Sequence, residues 1–576
     1  MHLVGDGRGA CLEAIVSRLK LLRQLPQMRG RPLGSLRLIA VSATIPNVDE
    51  IGRWLGDGTA VKAYGQEMRP VKVDVSVVGF RFRDNDFLFE RSLVSQLPGI
   101  VRKYYRGRPM LVFCSSRRLT VDAANQLLKD LGPTYFLPSS HADVDRIRGV
   151  ASGMTTRPLS HLLSCGIGYH HAGLDAGDRG TVEREFSARV VGCVCTTSSL
   201  ALGVNLPANL VVILGTSLYQ SGRYVDLDSS SVMQMVGRAG RPGLDTAGVA
   251  VIMTKTVNVQ KYQNISTGNE PVESHLLAQF PEFLNAEISV GSVASAEQGV
   301  RWLENSFLFV RATSSPGRYF PGAANAEQVR DAMMERCRAT VAELGGASMI
   351  EVGDGGRLEP REAGRLMSRL YINFATMRSI VGMPDHGSLP DLIRCLCRSQ
   401  EMACVRLRRS EKKALNTINA SDVGCRHPVT VKSGKRKKVQ EDAEKVQVLL
   451  NEALSDCPTN ELDSGMRNEV EGILSNGRRI AKCMFDYFSS PEVQQLAATA
   501  NSLKLARSCA LRLWDASKHV TRQLGLGIGP KLSKMLVDAG LDSFESILRE
   551  EARRLEQIVG KRYPFGRYAA ARRAAR

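Results

Sequence analysis

Ser229 to Pro242 reads SSSVMQMVGRAGRP and lies between two apolar runs, LVVIL at Leu210 to Leu214 and VAVIM at Val249 to Met253. Runs of that length and composition suit strands buried on both faces, so the region predicts strand, helix, strand. Ser229 or Ser230 can cap a short helix that turns Val232, Met235 and Val236 inward, and Gly237, Gly240 and Pro242 end it. Arg238 and Arg241 are left three residues apart where the helix breaks up. Guanidinium groups held rigidly at that spacing can reach the terminal phosphate of a nucleotide on a neighbouring domain and neutralise charge spread over its equatorial oxygens. The plainer alternative is a surface turn with two solvated arginines. The ordered set Gln234, Gly237, Arg238, Gly240 and Arg241 favours the first reading.

At 576 residues with 43% apolar content, the chain is long enough for three or four domains with proper cores, and it is not a disordered tail. The 77 basic and 58 acidic residues leave a net charge of +19, spread along the chain. A polyanionic partner follows, although charge alone does not separate DNA from RNA or from an acidic membrane surface. The 13 cysteines include no CxxC pair and no cysteine-histidine cluster at zinc spacing. Cys193 with Cys195, and Cys395 with Cys397, sit inside apolar segments, as buried reduced thiols of an intracellular protein do. No apolar run reaches the length of a membrane span, and the amino terminus lacks the order of a signal peptide, so no membrane partner is expected.

Between residues 95 and 265 short apolar runs alternate with helical segments: PMLVFCSS at Pro109 to Ser116, VVGCVCTT at Val190 to Thr197, then the two runs above. That alternation predicts a doubly wound parallel sheet with its chemistry at the carboxyl ends of the strands. Ser115, Ser116 and Arg117 follow one such strand, and Thr196 and Thr197 open TTSSLALGVNLP after another. The histidine pair in YHHAGL, Tyr169 to Leu174, has no third ligand in view, so no metal is assigned.

With these residues in place, the QxxGRxGR order resembles the arginine-finger motif of superfamily 2 helicases. The resemblance implies catalytic roles for Gln234, Arg238 and Arg241, and nucleotide-facing roles for Gly203, Asn205 and Gly237. It implies nucleic-acid contacts from Ser115, Arg117, Thr196 and Thr197. LRLIAVSAT at Leu36 to Thr44 reads as an apolar strand ending in the coupling residues Ser42, Ala43 and Thr44. Met1 and His2 fall where the last two letters of the family's DExH box would be. The preceding aspartate and glutamate do not occur there, and no GxxxxGK[ST] stretch occurs in the sequence. ATP and Mg²⁺ are the implied cofactors, held by a motor half this chain does not carry, as in a chain cut inside motif II. The chain alone is expected to hydrolyse no ATP. Its first 70 or so residues are expected to be the poorly stable tail of a first RecA-like domain.

From Pro271 a small mixed domain fits a winged helix, with Trp302 to Arg311 read as a helix running into a strand. Leu358 to Val381 resembles the long ratchet helix of these helicases, presenting Arg365 and Arg369 to a translocated strand. KSGKRKK, Lys432 to Lys438, reads equally as a nuclear localisation signal, a phosphate-contacting loop or a solvated loop. Gly527 and Gly529 sit between two helices, where their amides can meet a phosphate as a helix-hairpin-helix does. The expected architecture is an α/β RecA-like parallel-sheet domain followed by winged-helix, helical-bundle (ratchet) and helix-hairpin-helix domains. The boundaries are 1-75 for the first-domain remnant, 76-268 for the second RecA-like domain, 269-345, 346-520 and 521-576. GIGPKLSKMLVDAGLDSF and RRSEKKALNTIN most resemble the meiotic crossover group of DExH-box helicases. That group implies an ATP-driven, 3′ to 5′ DNA motor, a monomer in the nucleus, acting on single-stranded or branched DNA with recombination proteins as candidate partners. An RNA helicase of the spliceosomal kind and a non-catalytic DNA-binding remnant are the alternatives.

Overall fold

The computed structural model describes residues 9–559 except 25, 29, 42–44, 57, 65–67, 69–70, 82–85, 199, 201–205, 221–222, 241–244, 267–270, 422–424, 432, 460, 521 and 523–528. Two compact units are present: Met1–Gln279 with Arg301–Arg330, and Phe280–Val300 with Asp331–Arg576.

The first unit opens with helices α1 (Gly9–Gln24) and α2 (Val48–Leu55), then builds a six-stranded sheet. Its strands are β1 (Lys72–Phe80), β2 (Met110–Cys114), β3 (Ile167–His170), β4 (Cys193–Thr197), β5 (Leu210–Leu214) and, after a two-stranded ribbon of β6 (Ser217–Gln220) and β7 (Arg223–Asp226), β8 (Ala247–Lys255). The order is β1-β8-β5-β2-β4-β3, and each pair is parallel. Crossover helices α3 (Asp86–Tyr104), α4 (Arg117–Leu131), α5 (His141–Ser152), α6 (Arg157–Ser164), α7 (Ala176–Ser187), α8 (Ser229–Val236) and α9 (Val259–Ser266) cover the sheet. Strands β2 and β5 are buried at every residue, which is why they read as unbroken apolar runs. The four expected strands are all present, while β1 and β3 were not expected: KVDVSVVGF alternates like a half-buried strand, and β3 has only four residues.

The second unit contains α10 (Phe280–Ser289), an antiparallel wing of β9 (Ile350–Val352) and β10 (Leu358–Pro360), and a helical array. Two further helices, α11 (Ala296–Glu304) and α13 (Ala326–Gly346), flank α12 (Phe307–Ser314) of the first unit along the chain. The expected single helix from Leu358 to Val381 is instead β10, α14 (Glu362–Leu370) and α15 (Phe374–Val381), broken where Tyr371 takes a left-handed conformation. The long helix of the unit is α19 (Ser464–Phe488, 25 residues), reached through α16 (Leu389–Cys397), α17 (Lys412–Ala420) and α18 (Asp442–Leu454) and followed by α20 (Leu496–Leu511). A fully buried lysine ties this array together: Lys445 Nζ donates to Arg406 O (2.9 Å) and to Glu411 (2.7 Å), and pairs with Glu469 (2.8 Å). Residues 433–438 of the basic cluster are folded back, held by the Thr430–Arg436 bridge and by the buried Asn419, which bonds Val429 and Lys437. Helix α21 (Pro530–Asp538) ends before Gly540, whose φ of 84° suits the expected stop.

Two expectations about the first unit are overturned. Residues 36–41 form no strand: Ile39 and Val41 are 76% and 87% exposed. Trp302 to Arg311 does not run into a strand; it leaves α11 and re-enters a helix, α12, capped by the Ser306 hydroxyl on Phe309 N. The amino-terminal helices are also more firmly held than a lone strand would be. Trp54 is fully buried, lies tilted against Phe307 with ring centroids 5.5 Å apart, and donates its indole N–H to Asn305 O (3.0 Å). Asn47 pairs with both backbone groups of Val272. Arg311, 5% exposed, forks onto Glu273 and meets Glu50 at 2.6 Å.

Glu13 completes this anchor. Its carboxylate accepts from Ser274 Oγ (2.7 Å) and from Leu308 N (2.6 Å) at the start of α12. Burial dominates these bonds and raises its pKa to about 7. A raised carboxyl pKa means the folded state binds the extra proton, so its contribution is full below about 4.5 and is lost as pH climbs to about 7. The size is about 3 kcal/mol. Glu13→Gln can accept from Leu308 N and donate to Ser274 Oγ, so its melting temperature should vary less between pH 5 and 8 than that of the parent. Parallel curves for the two proteins would refute the assignment.

Candidate functional site

Because every strand of the main sheet is parallel, the carboxyl ends of β2, β3 and β4 share one edge. Ser116 caps α4 by accepting from Leu119 N (3.2 Å). Its neighbour Ser115 has a buried hydroxyl with no hydrogen-bond partner, on the wall of a cleft of about 360 Å³ lined also by Glu90, Arg118 and Tyr224. Arg117 is exposed and lies over the turn after β3, where a Cβ added to Gly173 would come within 2.9 Å of its guanidinium. His171 Nδ1 accepts from Gly173 N, while burial and then the Arg117 charge hold its imidazole below the usual pKa. His170 is bonded to Glu183 at 2.7 Å, so each histidine has a structural task. Thr196 is fully buried and donates to Thr197 O, which leaves half-buried Thr197 as the member of the pair at the edge.

The arginine segment lies elsewhere. Asp228, not Ser229 or Ser230, caps α8, accepting from Ser231 N (2.7 Å) and Ser231 Oγ (2.8 Å). Val232, Met235 and Val236 are buried as expected. The helix returns toward the amino ends of the strands. There Arg238 O accepts from Ala208 N (2.9 Å), and Gly240 N donates to Ala208 O (2.8 Å), two residues before β5 begins. Asn209 continues the lattice by donating to Pro109 O and accepting from Val249 N. Arg238 therefore sits at the amino edge, opposite Ser115 and Arg117, and the expectation that the motifs gather at carboxyl ends fails for it. Connection length decides this: an eight-residue helix leaving β7 has room only to run back antiparallel to the sheet.

Glycine makes the crossing possible. Gly240 has φ 84°, and a Cβ on it would be 2.7 Å from Val71 Cγ1. A Cβ on Gly248 would be 2.4 Å from Gly240 N and 2.8 Å from Ala239 C. Gly240 is thus used by the fold itself, while Gly237 is an exposed, ordinary helix end at φ −61°. Gln234 is half-buried on α8. Gly203, Asn205, Arg241, Ser42, Ala43, Thr44 and Gly527 lie outside the described residues. In the second unit Arg365 and Arg369 are exposed, Arg369 meeting Asp486 of α19 at 3.1 Å, and Gly529 is the N-cap of α21. The sequence reading missed Asp228, Asn209 and Gly248. Only the first had a local signal, an aspartate directly before three serines.

Residues 92–243 match the helicase conserved C-terminal domain, 273–354 a winged helix-turn-helix domain and 360–565 the Sec63 Brl domain. These three, in that order, fit a superfamily 2 helicase with a Sec63-type module. A rice protein named "ATP-dependent DNA helicase MER3 homolog" is 40% identical over 98% of this chain and 48% of its own length. A mouse protein named "Probable ATP-dependent DNA helicase HFM1" is 34% identical over 98% of this chain and 39% of its own. A fruit-fly protein named "U5 small nuclear ribonucleoprotein 200 kDa helicase" is 27% identical over 90% of this chain and 24% of its own. Along nearly its whole length the chain is thus similar to proteins named ATP-dependent DNA helicases, and it spans half or less of the length of these relatives.

If the Gly240–Gly248 crossing fixes the arginine segment, Gly248→Ala should destabilise the first unit by about 2 kcal/mol, as overpacking does. Gly180→Ala, inside α7 with open space around it, should stabilise by up to about 1 kcal/mol. Thermal or urea unfolding of the two variants checks the pair. Equal, small effects would show that the segment can move aside.

Proposed function

We propose that this chain supplies the second motor domain and the strand-tracking module of an ATP-driven helicase that moves 3′ to 5′ along one DNA strand. The reading extends to recombination intermediates as substrates, to the nucleus as location, to action as a monomer and to recombination proteins as partners. Its main support is the placement of Arg238 on a backbone segment bonded to residue 208 at one edge of a parallel sheet, with Ser115, Arg117 and Thr197 at the other. A guanidinium carried on a backbone so held can be presented to charge developing on a phosphoryl group with little backbone reorganisation. A hydroxyl without a partner beside an exposed arginine suits a strand phosphate. One stiff sheet joins the two, so a change of contact at the nucleotide edge turns the grip edge with it. DNA is favoured over RNA because relatives at 40% and 34% identity are named DNA helicases and the spliceosomal relative stands at 27%.

ATP and Mg²⁺ are the cofactors of this reading. A P-loop lysine with its hydroxyl and the paired carboxylates of motif II do not occur in those contexts in this sequence, so the chain's residues furnish only the guanidinium side. Arg238 and Arg241 would face the terminal phosphate, with Gln234, Gly203, Asn205 and Gly237 around the nucleotide and Ser42, Ala43 and Thr44 coupling the two motor halves. In the second unit, α19 has the length for strand tracking that the broken segment 358–381 lacks, and exposed Arg478 and Lys482 lie on it. Gly529, capping α21, adds a backbone phosphate contact.

In a polypeptide that also contains the P-loop half, Arg238→Ala should lower DNA-stimulated turnover by about a hundredfold or more and leave nucleotide binding largely intact. A variant that loses ATP binding but keeps its rate at saturation overturns the finger role. For the 576-residue chain itself, DNA binding should weaken with rising salt. Gly529 has φ −79°, and a Cβ added to it would meet nothing within 4 Å, so Gly529→Val is accommodated in the fold. It should nevertheless cost roughly tenfold in affinity by keeping phosphates off the backbone amides. Parental affinity across a salt series would make that hairpin a plain turn.

A further inference from the structure

The connection between α17 and α18 is tied into one shape by its backbone. Val431 N donates to Lys435 O (2.8 Å) and Lys437 N to Val429 O (3.0 Å). The Asn451 side chain of α18 accepts from His427 N (2.8 Å) and donates to His427 O (2.9 Å). Together with α16 and the start of α18, this segment walls a cleft of about 320 Å³ whose buried lining, Ile393, Cys397 and Val429, is apolar. Four cations line it as well: Arg394 and Arg398, one helical turn apart at the end of α16, then Arg426 and Lys437. Two of them are held by carboxylates, Arg394 by Asp391 (2.9 Å) and Lys437 by Glu444. The other two are not. Arg398 meets Glu441 only at 4.0 Å, with side chains 65% and 61% exposed, and a pair so long and so wet returns little energy. Among the described residues Arg426 has no carboxylate partner. Beside it, the Nε2 of His427 is buried and has no hydrogen-bond partner. Burial and then the Arg426 charge hold this imidazole below its usual pKa, so it is neutral and has one N–H to offer.

We infer that the cleft receives a phosphorylated serine or threonine side chain of a partner protein, with Arg398, Arg426 and His427 on the phosphate and Glu441 available to a basic residue next to it. Guanidinium groups converging from rigid elements suit a compact dianion, which several charge-assisted bonds can meet at once. A nucleic-acid strand fits this cleft less well. Glu441 and Glu444 line the same space and repel a run of phosphates, and no Phe, Tyr or Trp is among the described lining residues to take a base. The inference uses no residue of the helicase reading and stands or falls apart from it.

The test offers the immobilised full chain two labelled peptide pools with random flanks that differ only in a central phosphoserine or serine. The phosphorylated pool should be retained roughly tenfold better. Arg398→Ala combined with Arg426→Ala should remove most of that preference and melt as the parent does, since both side chains are exposed. Arg338→Ala combined with Arg357→Ala, the same change of charge at exposed positions outside the cleft, should keep it. On a labelled thymidine oligonucleotide the two double variants should bind alike. Equal retention of the two pools by the parent overturns the inference. So does an equal loss of preference in both double variants, which makes the attraction diffuse. Loss of oligonucleotide binding in the Arg398 and Arg426 variant alone also overturns it, because the cleft would then belong to a nucleic-acid path.

Discussion

Two backbones cross at Gly240 and Gly248 with no space for a Cβ on either, and the placement of the arginine segment follows from that contact. The crossing pins residues 238–240 against β8 and against Ala208, which in turn lies two residues before the buried strand β5. Since β5 and β8 are neighbours in a sheet with parallel pairing throughout, Arg238 is fixed relative to every strand end by short covalent and hydrogen-bonded paths. The backbone of this segment has therefore already lost its conformational entropy during folding.

Buried charge does comparable work away from the sheet. Arg311 of α12 ties Glu50 of α2 to Glu273, and Lys445 holds three segments of the helical unit. Desolvating such groups costs as much as their pairing returns, so they add less to stability than an equal volume of leucine would. Their effect is on specificity: a misplaced segment would leave an uncompensated ion in a dry interior. The two units therefore use polar bonds to choose an arrangement that apolar packing alone would leave degenerate.

The two kinds of left-handed residue in the chain make an instructive contrast. Gly240 takes its positive φ where backbones touch and no side chain fits. Tyr371 takes one in the open, where a side chain is strained yet exposed.

Much of the first unit's sheet was legible in the linear sequence. The apolar runs at 110–114, 193–197, 210–214 and 249–253 declared themselves because strands buried on both faces must be apolar throughout. The helix between the last two, its inward residues and the glycine stop before residue 541 were equally local matters of periodicity and capping. The segment 36–41 was misread because apolar composition promises burial only when a partner surface covers it, and Ile39 and Val41 are largely exposed. The helix break at Tyr371 was invisible for the opposite reason: a tyrosine carries no stop signal, and only the closure onto Met367 places it in the left-handed region. Sequence by itself determined which residues carry chemistry, since arginines, hydroxyls and glycines at fixed spacing are local facts. Only the tertiary structure decided that Arg238 and Ser115 lie at opposite edges of one sheet, because edge assignment depends on the direction in which a short helix must return across parallel strands.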